Sequence, residues 1–416
     1  MRTQVAIIGG GPGGAASALF LGERGIDSII IEAASFPRFH IGESMTGWVA
    51  EKIRGWGLES AMKENRFPIK RAGTVYGSSG LNRYDVPITA RVAGTERRQV
   101  ETWQVRRSVF DKMLLDVAVE RGARLVHGKA IEPIFDDEGA VSGVTVQMAS
   151  GHTTTIEAGA IIDASGRKTW LSSLGIAGKK ERGGYESQIA VFSHVKGAVR
   201  NGEFEEGNTL LFYREVDHWS WFIPVDDETV SIGIVTPASY YKSMKETKED
   251  FFARECRELN PNLAERLADV ELVEPVTATA NFSYKIPEFT GKGWLCVGDA
   301  HRFIDPFFSF GIHLALSEAE KAAEYMASYL AGELDDADPF AAYAGICERG
   351  MDTVQTLMDS FWANPLGWGY MLHYTDHGGD VLDMFGGRIY EEEPLRALVS
   401  MREMVARSDR GLVPVS

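Results

Sequence analysis

Short β-branched runs alternate along this chain with stretches whose apolar residues recur at helical spacing. Val5-Ala6-Ile7-Ile8 is the first run of strand type. From Ala15 to Gly25 the apolar positions Ala15, Ala18, Leu19 and Leu21 predict a helix, and Ser28 to Ile31 predict a second strand that ends in Glu32. Ile161-Ile162 and Trp294 to Val297 are further apolar strands, each closing on a small polar turn. Arg107 opens a helix running to about Ala123. Alternation over Thr209–Tyr213, Ser220–Val225 and Thr229–Val235 predicts an antiparallel sheet. Residues 336–416 read as largely helical, with Glu333, Asp335, Asp336 and Asp338 marking the linker before them. The fold class is α/β, without internal repeats or low-complexity tracts.

Between the first strand and its helix stands Gly9-Gly10-Gly11-Pro12-Gly13-Gly14, in which Gly9, Gly11 and Gly14 satisfy GxGxxG. Gly9 permits the tight turn, Gly11 lets backbone approach a pyrophosphate, and Gly14 lets the helix pack on the strand. The helix start offers unpaired N–H groups to the phosphates. Glu32, 18 residues after Gly14, is placed to accept from a ribose hydroxyl. Strand, glycine turn, helix, strand and acid in that order predict a bound dinucleotide. Gly183-Gly184 and Gly378-Gly379 lack this setting, so no second fingerprint is expected for a nicotinamide cofactor.

Composition narrows the partners. With 43 Lys+Arg against 59 Asp+Glu, the net charge of −16 disfavours nucleic acid and a bare anionic membrane surface. Cys256, Cys296 and Cys347 are far apart, so neither a disulfide framework nor a metal site is expected. No apolar run reaches the roughly 18 residues that span a bilayer. The opening apolar stretch is too short for a signal sequence, and a cytoplasmic protein is expected.

Further segments resemble the FAD-binding pattern of flavin monooxygenases and their relatives. They are Phe36 to Ser44 (FPRFHIGES), Arg107-Ser108-Val109-Phe110-Asp111, Ile161 to Gly166 (IIDASG) and Trp294 to Ala300 (WLCVGDA). Two more narrow the family: Trp219 to Pro224 reads WxWxIP, and Lys70 lies in FPIKRAG. With these the chain resembles the flavin-dependent halogenases that act on pyrroles or phenols. The resemblance spans roughly residues 1–330.

The resemblance implies FAD, used as FADH2 with O2, to oxidise chloride or bromide to hypohalous acid. The implied cofactor residues are Gly9, Gly11, Gly14, Glu32, Arg38, Ile41, Ser44, Arg107, Asp163, Asp299, Gly311 and Ile312. Lys70 is the implied catalytic residue, which positions or captures the oxidised halogen; a compact ammonium whose pKa falls on burial suits that work. A surface lysine beside Arg71 is the other reading. Trp219, Trp221, Ile223 and Pro224 are implied to shield organic substrate from the flavin, or to be core on a sheet. Backbone N–H groups at Phe310 and Gly311 are the implied halide site. Phe308 stands where tryptophan halogenases have a glutamate, which argues against free tryptophan. Phe303, Phe307 and Phe308 suit an electron-rich ring or an ordinary core.

The FAD-binding Rossmann-type domain is expected to combine 1–75, 100–180 and 275–335, interleaved with an antiparallel-sheet substrate domain from 76–99 and 181–274. The helical segment 336–416 follows; its Trp362, Trp368, Tyr370 and Tyr374 suit either a lid or ordinary packing. The expected partners are a separate flavin reductase and an acyl or peptidyl carrier protein bearing a pyrrole. A basic patch at Lys70-Arg71 or Arg97-Arg98 would meet the carrier. An FAD aromatic hydroxylase and an electron-transferring flavoprotein of the isoprenoid-reductase type are the alternatives, and WxWxIP with Lys70 discriminates against both.

Overall fold

Val5 to Ile8 form part of Arg2–Ile8, which pairs in parallel with Ser28–Glu32 on one side and Thr153–Asp163 on the other. The strand Trp294–Cys296 adds in parallel to Thr153–Asp163. Strands covered on both faces read as continuous apolar runs, which is why these sequences lack alternation. The helices Pro12–Glu23, Arg107–Glu120 and Gly311–Leu330 share the core of this sheet. The computed structural model describes residues 1–91, 96–182, 187–200, 202–281, 283–334 and 337–408, so Gly183, Gly184, Asp335 and Asp336 lie outside the described residues. Arg124–Phe135 begins in parallel with Ser28–Glu32, then turns antiparallel against Val141–Met148.

The second sheet runs Glu271–Leu272, Gln188–Lys196, Thr229–Pro237, His218–Pro224, Thr209–Glu215, Ala72–Tyr76, Arg83–Pro87, with Thr277–Asn281 also on Gln188–Lys196. This membership departs from the expected boundaries. Ala72–Tyr76 and Thr277–Asn281 belong to this sheet, although residues 1–75 and 275–335 are expected in the other domain. Ala72–Tyr76 lies parallel to Thr209–Glu215, so the sheet is not wholly antiparallel.

Side chains alternate across a strand, and His218–Pro224 obeys this rule. Trp219, Trp221 and Ile223 face a core shared with Phe307, Phe361 and Trp362. Phe222 faces the opposite core, against Phe251 and Phe252 of the helix Lys248–Glu258.

The chain closes with the helices Ala341–Ala363, Pro365–Tyr374, Gly378–Phe385 and Arg396–Arg407. The Asn364 side chain caps Pro365–Tyr374 by accepting from Gly367 N, with Pro365 at the first turn. Trp362 and Trp368 are buried in the core behind the tryptophan strand. Tyr370 and Tyr374 are exposed and stack on each other at 5.5 Å, so these four aromatics divide between wall and surface. Among the described residues no helix is long and apolar enough to cross a membrane. The three cysteines are buried free thiols.

Candidate active site

The glycine turn is built by close backbone approach. Gly9 has φ +105°, and a Cβ there would sit 2.6 Å from the Ala164 carbonyl oxygen. A Cβ on Gly14 would lie 1.9 Å from the Gly9 carbonyl oxygen, so only glycine lets the helix start against the strand. Gly11 differs: the Arg38 guanidinium, 3.4 Å away, is all that a Cβ there would meet, because Gly11 borders a cavity. Gly11 caps the helix Pro12–Glu23 without a side-chain hydrogen bond, which leaves first-turn N–H groups for a ligand.

That cavity holds about 630 Å³. Glu32 lines it, and its two carboxylate oxygens accept from Gly10 N at 2.7 Å and Ala34 N at 2.6 Å. Arg38, Ile41, Ser44 and Arg107 line a second wall. The Arg107 guanidinium is held by Asp111 at 2.6 Å and donates to the Ile41 carbonyl at 3.0 Å. Its charge, with burial second, holds the neighbouring His40 down at about 4. Asp299 also lines the cavity, and burial pushes its carboxyl up to about 6. No protein group among the described residues hydrogen-bonds its carboxylate oxygens. A carboxylate left open to a cavity, a glycine cradle and capless N–H groups fit a bound dinucleotide with a hydroxylated chain.

Lys70 belongs to the two-residue strand Ile69–Lys70, which pairs with Thr102–Trp103. It is only 5% exposed, which excludes the surface reading. Its Nζ donates to Ser44 Oγ at 2.8 Å and to the Met45 carbonyl at 3.3 Å. Burial alone lowers its pKa to about 7. Lys70 lines a second, small cavity of about 40 Å³ with Phe307 and Phe308. Trp219 lines the large cavity and packs edge-on against Phe307 at 5.0 Å, so this pair stands between the two. Leu211 and Ser309 line both cavities. Ser309 has φ +61°, a left-handed turn that carries the chain from Phe308 into the helix Gly311–Leu330.

The structure gathers Gly9, Gly11, Glu32, Arg38, Ile41, Ser44, Arg107, Asp299, Gly311 and Ile312 on the large cavity, together with Trp219, Trp221 and Ile223. Gly14 supports the turn from behind. Four placements differ from expectation. Asp163 does not reach the cavity, because its oxygens accept from Ser165 N at 3.0 Å and Leu171 N at 2.8 Å, securing the turn that does. Pro224 is paired with Val230 at the strand end and lines neither cavity. Phe303 lies on the large cavity under Arg167, apart from Phe307 and Phe308. The Phe310 side chain packs on His313 and Phe385, and only Gly311 of that pair borders the cavity.

The expected basic patch also dissolves: Lys70 is buried, and Arg71, Arg97 and Arg98 pair with Glu101, Asp383 and Glu51. Sequence reasoning missed Leu211 and Ser309, which join the cavities, and Lys129 and Ala130, which complete the large one. Each sits in a strand or turn whose pattern reports only packing.

Comparison with known proteins gives a consistent result. The FAD binding domain family matches residues 2–346. A 1H-pyrrole-2-carbonyl peptidyl-carrier-protein brominase of Pseudoalteromonas luteoviolacea is 36% identical over 408 residues, covering 98% of this chain and 97% of its own. A 1H-pyrrole-2-carbonyl peptidyl-carrier-protein chlorinase of Pseudomonas fluorescens is 27% identical, covering 97% of this chain and 93% of its own. The solved structure of the flavin-dependent brominase Bmp2 superposes with a TM-score of 0.92 at 36% identity, over 99% of this chain and 100% of that one.

Proposed function

This chain belongs to the FAD binding domain family and, within it, to the flavin-dependent halogenases; from that premise we propose that it halogenates a pyrrole ring tethered to a carrier protein, using reduced FAD, O2 and chloride or bromide. One observation carries the residue assignment. A buried amine, Lys70, occupies a small cavity that an aromatic wall parts from the dinucleotide cavity, while Leu211 and Ser309 border both.

Bound and reduced, FAD would supply two of the four electrons that reduce O2 and halide the other two, which turns halide into hypohalous acid with release of water. The chain's residues do the rest. N–H groups at the start of Gly311–Leu330, a helix without a side-chain cap, hold the halide at the cavity wall. Trp219 and Trp221 keep an organic ring out of the flavin cavity, and the Leu211–Ser309 edge passes a small oxidised halogen. Phe307 and Phe308 hold a flat apolar ring beside Lys70; aromatic pairs contribute about 0.5–1.5 kcal/mol each. A small ring anchors weakly by itself, so a tether that raises local concentration helps. Phe308 stacks on Trp368 with ring centroids 5.4 Å apart, so an apolar ring stands where an indole would need a carboxylate.

The buried amine is neutral above about pH 7 and an ammonium below it. Where the neutral amine captures the halogen, the N–X bond forms as the O–X bond of hypohalous acid breaks and the amine proton leaves with the oxygen as water; the halogenation rate then rises with pH through about 7 and levels. A rate independent of pH between about 6 and 8 under saturating FADH2 would remove the neutral amine from the reaction.

A separate flavin reductase supplies FADH2, because the chain carries one dinucleotide fingerprint and FAD occupies it. The purified protein is therefore expected not to reduce its FAD with NADPH. Rapid anaerobic reduction in stopped flow would identify a one-component monooxygenase instead. The direct test supplies reductase, halide and either pyrrolyl-carrier protein, free phenol or free tryptophan, with products read by mass spectrometry. Preferred halogenation of either free substrate overturns the tethered pyrrole.

A further inference from the structure

Among the described residues Lys70 has no carboxylate partner. Titratable groups on adjoining segments have other partners: Glu43 Oε1 with His194 at 2.7 Å, Asp85 with Thr74 at 2.6 Å, Arg71 with Glu101 at 2.8 Å, and His313 Nδ1 with Thr46 at 3.0 Å, while Glu43 Oε2 and His313 Nε2 make no hydrogen bond, to Lys70 or to any other described group. Behind Ser44 lies a row of buried polar groups instead. Ser44 Oγ is 2.8 Å from Thr209 Oγ1, which accepts from Gln104 Nε2 at 2.8 Å. Gln104 Nε2 also donates to the Gly207 carbonyl at 3.1 Å.

The directions in this row follow from counting protons. A carbonyl only accepts, so Gly207 fixes the Gln104 amide with its NH2 toward Gly207 and Thr209. Thr209 accepts that N–H, and its own hydroxyl proton is satisfied by donation to its other neighbour, Ser44. Ser44 then has one lone pair for an N–H of Lys70 and one proton of its own. That proton has two destinations: the lone pair of a neutral Lys70 amine, or the flavin cavity that Ser44 lines. Against an ammonium only the second is open.

We propose that Gln104, Thr209 and Ser44 form a directed hydroxyl relay that positions Lys70 and favours its neutral amine, with Thr209 as the positioning residue at its centre. The inference rests on Lys70 being the reacting amine. Removing the Thr209 hydroxyl takes away the donor that polarises Ser44, whose oxygen then accepts more strongly from the ammonium and stabilises the charged form. Removing the Gln104 donor weakens the donation from Thr209 to Ser44, with the same result.

The test is the pH profile of halogenation in Thr209→Val, Thr209→Ser and Gln104→Met, with flavin affinity and melting temperature measured alongside. Thr209→Val is expected to move the midpoint up by about half a pH unit, less than the worth of one whole hydrogen bond, because an existing bond is strengthened. Thr209→Ser keeps the hydroxyl and the original midpoint, and Gln104→Met moves it in the same direction as Thr209→Val. Gln104→Met leaves both hydroxyls in place and decides the matter if Thr209→Val fails to fold. Midpoints unchanged in the flavin-loaded variants, or a shift in Thr209→Ser as large as in Thr209→Val, overturn the relay. A Lys70→Ala protein that still halogenates removes the premise instead, so the two failures are distinguishable.

Discussion

Lys70→Ala is expected to lower halogenation by about 10³-fold or more, the scale set by removal of a positioned proton-handling or nucleophilic group. FAD affinity should be unchanged, because Lys70 lines the small cavity and not the large one. Oxygen consumption with FADH2 should also persist, since oxidation of halide precedes any step at Nζ. Lys70→Met controls for packing, because it fills the site left by a side chain only 5% exposed. Lys70→Arg should be as inactive as Lys70→Ala: a guanidinium stays charged at every accessible pH and cannot provide a neutral amine. Product by mass spectrometry and flavin binding by fluorescence decide the result. Near-normal product from Lys70→Ala, or loss of flavin from both Lys70→Ala and Lys70→Met, would take the lysine out of the halogenation step.

Gly14→Ala should cost both stability and flavin. Its new Cβ would lie 1.9 Å from the Gly9 carbonyl oxygen, a backbone atom that no side-chain rotation can move. Relief requires the helix Pro12–Glu23 to lift from the strand Arg2–Ile8, which distorts the turn that presents N–H groups to the cavity. Overpacking of this kind costs about 1–3 kcal/mol, and the protein should melt several degrees lower and purify colourless. Gly11→Ala makes the contrast, since its Cβ would meet only the end of a flexible Arg38 side chain, 3.4 Å away. That variant should keep the melting temperature of the flavin-free protein and lose about tenfold or more in flavin affinity, roughly 1.4 kcal/mol. If Gly14→Ala kept its flavin and melting temperature, the close helix–strand contact would not be what holds the cradle.

What was legible in the residue order follows from short-range rules. GxGxxG between a β-branched run and a helix specifies the cradle, because turn, close approach and helix start all depend on residues within a few positions. WxWxIP specifies that Trp219, Trp221 and Ile223 share one face, because strand side chains alternate with period two. Phe308 in place of an acid is likewise a local fact.

How these pieces meet is set by long-range packing. Lys70 lies 26 residues from Ser44, and Ser44 lies 165 from Thr209, yet the three form one hydrogen-bonded row. Nothing in the periodicity of Ile69–Lys70, a strand of two residues, announces that its amine is buried. Asp163 reads as a cofactor carboxylate until its oxygens are found on Ser165 and Leu171. Ala72–Tyr76 reads with its sequence neighbours until Gly73 is found beside Thr209 in the other sheet. Hydrophobic pattern reports which face of an element is covered, but not by which distant segment. The partner of each buried polar group is set by which N–H meets which oxygen across the packed chain, and that pairing exists only once the fold has closed.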